Sequence, residues 1–188
     1  MSRRLAAAVL VPLVALLAAC APEPEATTTA SATSSTTTSA TATPTPTSTA
    51  TAIPADCTAI VSQTILAELA DVPLNDSSYG SSVGVQSDGS LVCLWRDPDD
   101  DATYLQTTVS QMSSGPALDM LNELVDDEGF TCYTPSGGTR CEKTWTDATS
   151  AVTDGRTLFY RDGIMIDTSY SNLAPSGYTD SIVASLFG

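Results

Sequence analysis

Thr157-Leu158-Phe159-Tyr160-Arg161-Asp162-Gly163-Ile164-Met165-Ile166-Asp167-Thr168-Ser169-Tyr170 is the stretch of this chain that decides its fold. Two runs rich in β-branched and aromatic residues flank Asp162-Gly163. That pair tolerates the positive φ angles a two-residue hairpin turn demands. The reading is a hairpin with arms Thr157–Arg161 and Ile164–Tyr170. Just upstream, Phe130–Tyr133 and Arg140–Trp145 flank Thr134-Pro135-Ser136-Gly137-Gly138-Thr139 and read as two further paired strands.

Before them, Pro116 fits the first turn of a helix, where a missing N–H costs nothing. Ala117, Leu118, Leu121, Leu124 and Val125 form its apolar stripe, and Gly129 ends it. Further back, Ser82–Gln86 and Leu91–Arg96 read as strands around Ser87-Asp88-Gly89. Asp97-Pro98-Asp99-Asp100-Asp101 is a polar turn into a third strand, Thr103–Gln111. Asp56 can cap a first helix running to about Ala70, with Ile60, Val61, Ile65, Leu66 and Leu69 inward. Tyr178–Phe187 is the final helix, carrying Ile182, Val183, Leu186 and Phe187. Hairpin-linked strands with helices between them give an α+β domain over residues 56–188. Its antiparallel sheet has about six or seven strands, flanked by three helices.

The chain has five cysteines, and one of them stands apart. Leu17-Ala18-Ala19-Cys20 closes an apolar run, Leu5 to Ala19, that follows Arg3 and Arg4. This is the layout of an export signal, too short to span a bilayer. The motif resembles the lipobox of bacterial lipoproteins, with Leu17, Ala18 and Ala19 before the modified Cys20. That resemblance implies cleavage after residue 19 by the lipoprotein-processing enzymes. It also implies a diacylglycerol, palmitate-bearing, on the sulfur of Cys20. Two acyl chains anchor stably, each buried methylene contributing ~0.8 kcal/mol. The alternatives are a soluble product cut at a nearby Ala-x-Ala site, or a Cys20 used in a disulfide. Parity favours lipidation, because Cys57, Cys93, Cys132 and Cys141 remain as an even set.

Cys132 and Cys141 sit on opposite arms of one hairpin, which makes Cys132–Cys141 the natural bridge and leaves Cys57–Cys93. Other connectivities are open to four cysteines, but this one needs the least rearrangement. A zinc site is a poor reading, with no Cys-x-x-Cys and no histidine in the chain.

Residues 20–55 are almost all Thr, Ser, Ala and Pro after the cysteine, without apolar periodicity. Such a segment is expected to be a disordered tether, ~30 Å long as a coil and ~100 Å fully extended. It is also a typical substrate for O-glycosylation. The formal net charge is −15, and beyond Arg3 and Arg4 only Arg96, Arg140, Lys143, Arg156 and Arg161 are positive. Nucleic-acid binding, which requires clustered cations against phosphates, is excluded as a class. An acidic domain is also repelled by anionic head groups, so an acyl anchor has to hold it at the membrane.

Cys57 at the head of the first helix, Cys93-Leu94-Trp95 on a strand and Phe159-Tyr160-Arg161-Asp162-Gly163-Ile164 before a final helix together carry a resemblance. They are similar to actinobacterial secreted lipoproteins of unassigned function, with PsbP-like α/β/α sandwich domains, and to extracellular sensor domains of receptor kinases. The resemblance implies a fold and a binding or scaffolding role, and supplies no catalytic residues.

The chemistry-bearing residues are few. Without histidine there is no Ser-His-Asp arrangement. No phosphate-cradling loop or Ser-x-x-Lys occurs, and Lys143, the one lysine, lies on a strand. Asp97, Asp99, Asp100 and Asp101 imitate the start of a calcium loop, but Ala102 and Thr108 stand where glycine and the closing glutamate belong. Trp95, Trp145, Tyr104, Tyr133 and Tyr160 could form a stacking face, though strand positions favour the core. The expectation is a lipid-anchored protein on the outer face of the cell membrane, non-catalytic, without cofactor or metal. Its domain would bind a small envelope ligand or a partner protein. The alternatives are a carboxylate-dependent hydrolase of envelope polysaccharide and a calcium-dependent structural module.

Overall fold

The structure, a computed structural model, describes residues 51–149 and 151–188. The expected signal peptide, the expected lipobox Leu17-Ala18-Ala19-Cys20 and residues 20–50 of the expected tether lie outside the described residues.

In chain order the regular elements are α1 (Gln63–Glu68), β1 (Gly84–Val85), β2 (Leu91–Arg96), β3 (Tyr104–Gln111) and α2 (Ser114–Glu128). They continue with β4 (Thr131–Tyr133), β5 (Thr139–Thr146), β6 (Thr153–Arg161), β7 (Ile164–Ser171) and α3 (Tyr178–Phe187). All seven strands form one antiparallel sheet in the order β1-β2-β3-β7-β6-β5-β4. The α+β class holds, as do both disulfides, Cys57–Cys93 and Cys132–Cys141. Cys132 and Cys141 face each other directly across β4 and β5. Among the described residues no helix is long and apolar enough to cross a membrane.

The Asp162-Gly163 turn is built as its residues demand, with φ of 49° and 84°. It sets the register from Arg161↔Ile164 to Asp154↔Ser171. Replacing Gly163 with alanine is expected to cost about 1–2 kcal/mol, since a side chain resists that backbone conformation. Urea denaturation checks it.

Alternation along the strands divides the side chains between two faces. On one face Leu91, Cys93 and Trp95 of β2, Leu105 and Val109 of β3, Ile164 and Ile166 of β7 and Phe159 of β6 pack under α1 and α3. On the other, Leu158, Met165 and Cys141 pack against Ala117, Leu121 and Leu124 of α2. Helices therefore lie on both sides of the sheet.

Three sequence expectations are corrected. The first helix is broken: a 3-10 turn spans Cys57–Ile60, Val61 is extended, and Ser62 caps a separate α1. The Ser62 amide donates to Ser181 Oγ at 2.6 Å, so α3 takes up a donor that a continuous helix would have used. The strand expected at Ser82–Gln86 shrinks to Gly84–Val85, because Ser77–Ser82 winds into a 3-10 segment. On α2, Leu118 is 46% and Val125 40% exposed. Seven residues apart, they share the flank beside the buried stripe, because α2 meets the sheet along one narrow line.

Candidate functional site

Laying the strands side by side brings residues far apart in the chain into rows on the face that carries α1 and α3. One row reads Thr131, Glu142, Thr157, Thr168, Thr107, Cys93 across β4, β5, β6, β7, β3 and β2. The next reads Thr144, Gly155, Tyr170, Leu105, Trp95 across β5, β6, β7, β3 and β2. Above the β2–β3 end these rows lie under the helices. At the β5–β4 end Thr131 and Thr144 are exposed. There the sheet floor and the loop Ala174–Gly177 leading into α3 enclose an open cleft of about 630 Å³.

The floor of the cleft is polar by design of the row. Thr168, Thr107 and Thr157 are buried, and Glu142 and Thr131 progressively exposed, so polar groups lead from the core into the cleft. Thr107 Oγ1 lies 2.9 Å from Thr168 Oγ1 and donates to Tyr178 Oη at 3.0 Å. Burial pushes the Tyr178 phenol far up, so it stays neutral. Substituting Thr107 with valine strips both Thr168 and Tyr178 of a buried partner. The expected loss is about 1–3 kcal/mol in equilibrium unfolding.

Tyr170 lies on glycine. A Cβ placed at Gly155 would fall 2.3 Å from Tyr170 Cζ, so the ring rests directly on the backbone of β6. The ring also lines the cleft, and burial raises its phenol pKa. Arg140 stands at the rim. Its Nη1 donates to Asp180 Oδ1 at 2.9 Å, and its Nε lies 3.0 Å from Glu142 Oε2 as an ion pair without hydrogen-bond alignment.

Charge follows a simple pattern. The charges of Arg3 and Arg4 offset those of Glu23 and Glu25, so residues 51–188 carry the whole −15. Each of the five cations there is engaged. Arg96 meets Asp101, Arg140 meets Glu142 and Asp180, Arg156 grips Asp167 with two hydrogen bonds, and Arg161 meets Asp162. Lys143 donates to the Glu128 carbonyl at the end of α2, where a cation suits the helix dipole.

The residues singled out from the sequence do not converge. Trp95 is buried in the core edge-on to Tyr178, with ring centroids 5.8 Å apart. Register places Trp95 and Tyr133 on the cleft-bearing face, and Trp145, Tyr104 and Tyr160 on the other. In the acidic turn, Asp97 accepts from the Asp99 amide and Asp100 from the Ala102 amide, while Asp101 faces Arg96. No group of three or more His, Cys, Asp or Glu that could hold a metal ion occurs among the described residues. Backbone and hydroxyl donors hold the Asp56, Asp76, Asp88 and Asp100 carboxyls below the usual range, each in a turn. The threonine row and Tyr170 were not singled out. Their available signal was the Asp162-Gly163 turn, whose register places Thr157 opposite Thr168 and Gly155 opposite Tyr170.

No protein-family model matches the chain, and no curated protein matches it. Among solved structures, that of cyanobacterial PsbP (CyanoP) from Synechocystis sp. PCC 6803 is similar at 15% identity and a TM-score of 0.30, over 57% of this chain and 72% of that one. The likeness is slight, and the architecture above stands on its own strands and helices.

Proposed function

We propose that this chain is a lipoprotein held on the outer face of the cell membrane by a diacylglycerol on Cys20, and that its domain is a non-catalytic binding module. The observation that carries the binding role is the 630 Å³ cleft, open to solvent between the sheet and the start of α3. Clefts of this size suit small ligands. The two disulfides suit an oxidising exterior, and the domain's acidity favours a lipid anchor over a surface contact. A hydrolase gains less support, because Glu142 and Asp180, the acids at the rim, share the Arg140 guanidinium instead of facing each other.

A thermal-shift screen of small polar compounds against the full chain tests the cleft. A ligand at one hundred times its Kd stabilises by about 2.7 kcal/mol. Hits are expected to raise Tm in the wild type and not in Thr144→Trp, which places an indole over the cleft from an exposed position. A screen without hits, or hits that persist in Thr144→Trp, contradicts the reading. The anchor is tested apart from it: Cys20→Ser is expected to leave the membrane fraction.

A further inference from the structure

The ligand class follows from how the cleft is lined, given the binding role proposed above. Of the two cations that line the cleft, Arg140 is paired with Glu142 and Asp180 and Lys143 is tied to the Glu128 carbonyl, and the domain carries −15, so an anion would enter against the field. An acyl chain or other apolar ligand would cover Thr131, Thr144 and Thr157 and leave their hydroxyls unpaired, a costly exchange. Hydroxyls both donate and accept, so their natural complement is another set of hydroxyls held at fixed spacing.

One flat apolar surface stands among these hydroxyls. The Tyr170 ring is backed by Gly155, which no other residue could replace without moving the ring, and it lines the cleft beside Thr157 and Thr179. An aromatic platform with threonine hydroxyls beside it and the paired Arg140 and Glu142 at its rim suits a molecule with an apolar C–H face and a polar edge. We infer that the cleft binds an uncharged sugar ring, stacked on Tyr170 and hydrogen-bonded to the threonine row of β4–β7. Both a free monosaccharide and a residue of an envelope polysaccharide offer that chemistry.

The test is amide chemical-shift titration of the full chain in a detergent without a sugar head group. The probes are glucose, mannose, galactose, arabinose, N-acetylglucosamine, trehalose and maltohexaose, with inorganic phosphate and spermidine as charged controls. At least one sugar is expected to bind saturably, moving the Thr157, Tyr170 and Thr179 amides, while phosphate and spermidine leave them in place. Binding by a monosaccharide identifies the free sugar as sufficient; binding by maltohexaose alone points to polymer. Affinity is expected to fall at least tenfold in Tyr170→Leu, whose Tm should stay close to wild type, and in Gly155→Val. Failure of all the sugars, or equal affinity in Tyr170→Leu, overturns the inference. If the polar-compound screen finds cleft ligands and the sugars fail, only the ligand class is wrong. If both fail, the binding cleft falls with it.

Discussion

Trp95→Ala is expected to remove about 3–5 kcal/mol, the range for truncating a fully buried aromatic. Trp95 is 2% exposed on β2, at the end of the row that contains Leu105 and Tyr170. Its ring meets Tyr178 edge-on at 88°. Truncation would therefore open a cavity between the sheet and α3, next to the Tyr178–Thr107–Thr168 hydroxyl chain. Because a whole domain is stable by only about 5–15 kcal/mol, this is a large share. At roughly 3 °C per kcal/mol for a domain of this size, Tm should drop by about 10–15 °C. Trp145→Ala is the control. Trp145 is 43% exposed on the opposite face, and its loss should stay within about 1 kcal/mol. Urea denaturation followed by circular dichroism reads both. Equal losses would contradict the assignment of the two tryptophans.

Removing the Cys57–Cys93 bridge, as the Cys57→Ala, Cys93→Ala pair, is expected to cost about 4 kcal/mol by the chain-entropy model for a separation of 36 residues. The Cys132–Cys141 bridge spans 9 residues and should give about 2.7 kcal/mol. Local architecture sharpens the contrast. The first bridge ties the 3-10 turn at Cys57–Ile60 to β2, and Asn75 completes the tie. Asn75 donates through Nδ2 to Cys57 Sγ at 3.3 Å and accepts through Oδ1 from the Leu94 amide at 2.8 Å. The second bridge joins strands already paired. Hydrogen exchange should therefore show Ile65 and Leu69 losing protection in the first variant and keeping it in the second. An identical pattern in both would refute the different roles.

Much of the fold was legible because its signals are local. Gly129, at φ 72°, ends α2 as a left-handed cap, and α3 begins and ends where its apolar spacing says. The Cys132–Cys141 pairing followed from one hairpin. What the pattern hid was long-range. The break at Val61–Ser62 depends on Ser181, 119 residues away. Leu118 and Val125 carry the helical period, and only the line along which α2 meets the sheet decides that they lie outside it.

The cleft was legible in part. The turn at Asp162-Gly163 already pairs Thr157 with Thr168 and Gly155 with Tyr170. Joining Thr107 to that row, however, requires β3 to pair with β7 across the α2–β6 excursion, and no local signal sets that strand order. For the same reason the five aromatic residues chosen by composition scatter over both faces, while Tyr170, which faces a glycine, stands in the cleft.

The most direct measurement of the central claim is amide chemical-shift mapping of the full chain with the strongest compound from the thermal-shift screen. The account predicts that the moving amides cluster at Thr131, Thr144, Thr157, Tyr170 and Thr179. Movement confined to α2 or to the Trp145 face, or no movement at all, would contradict it.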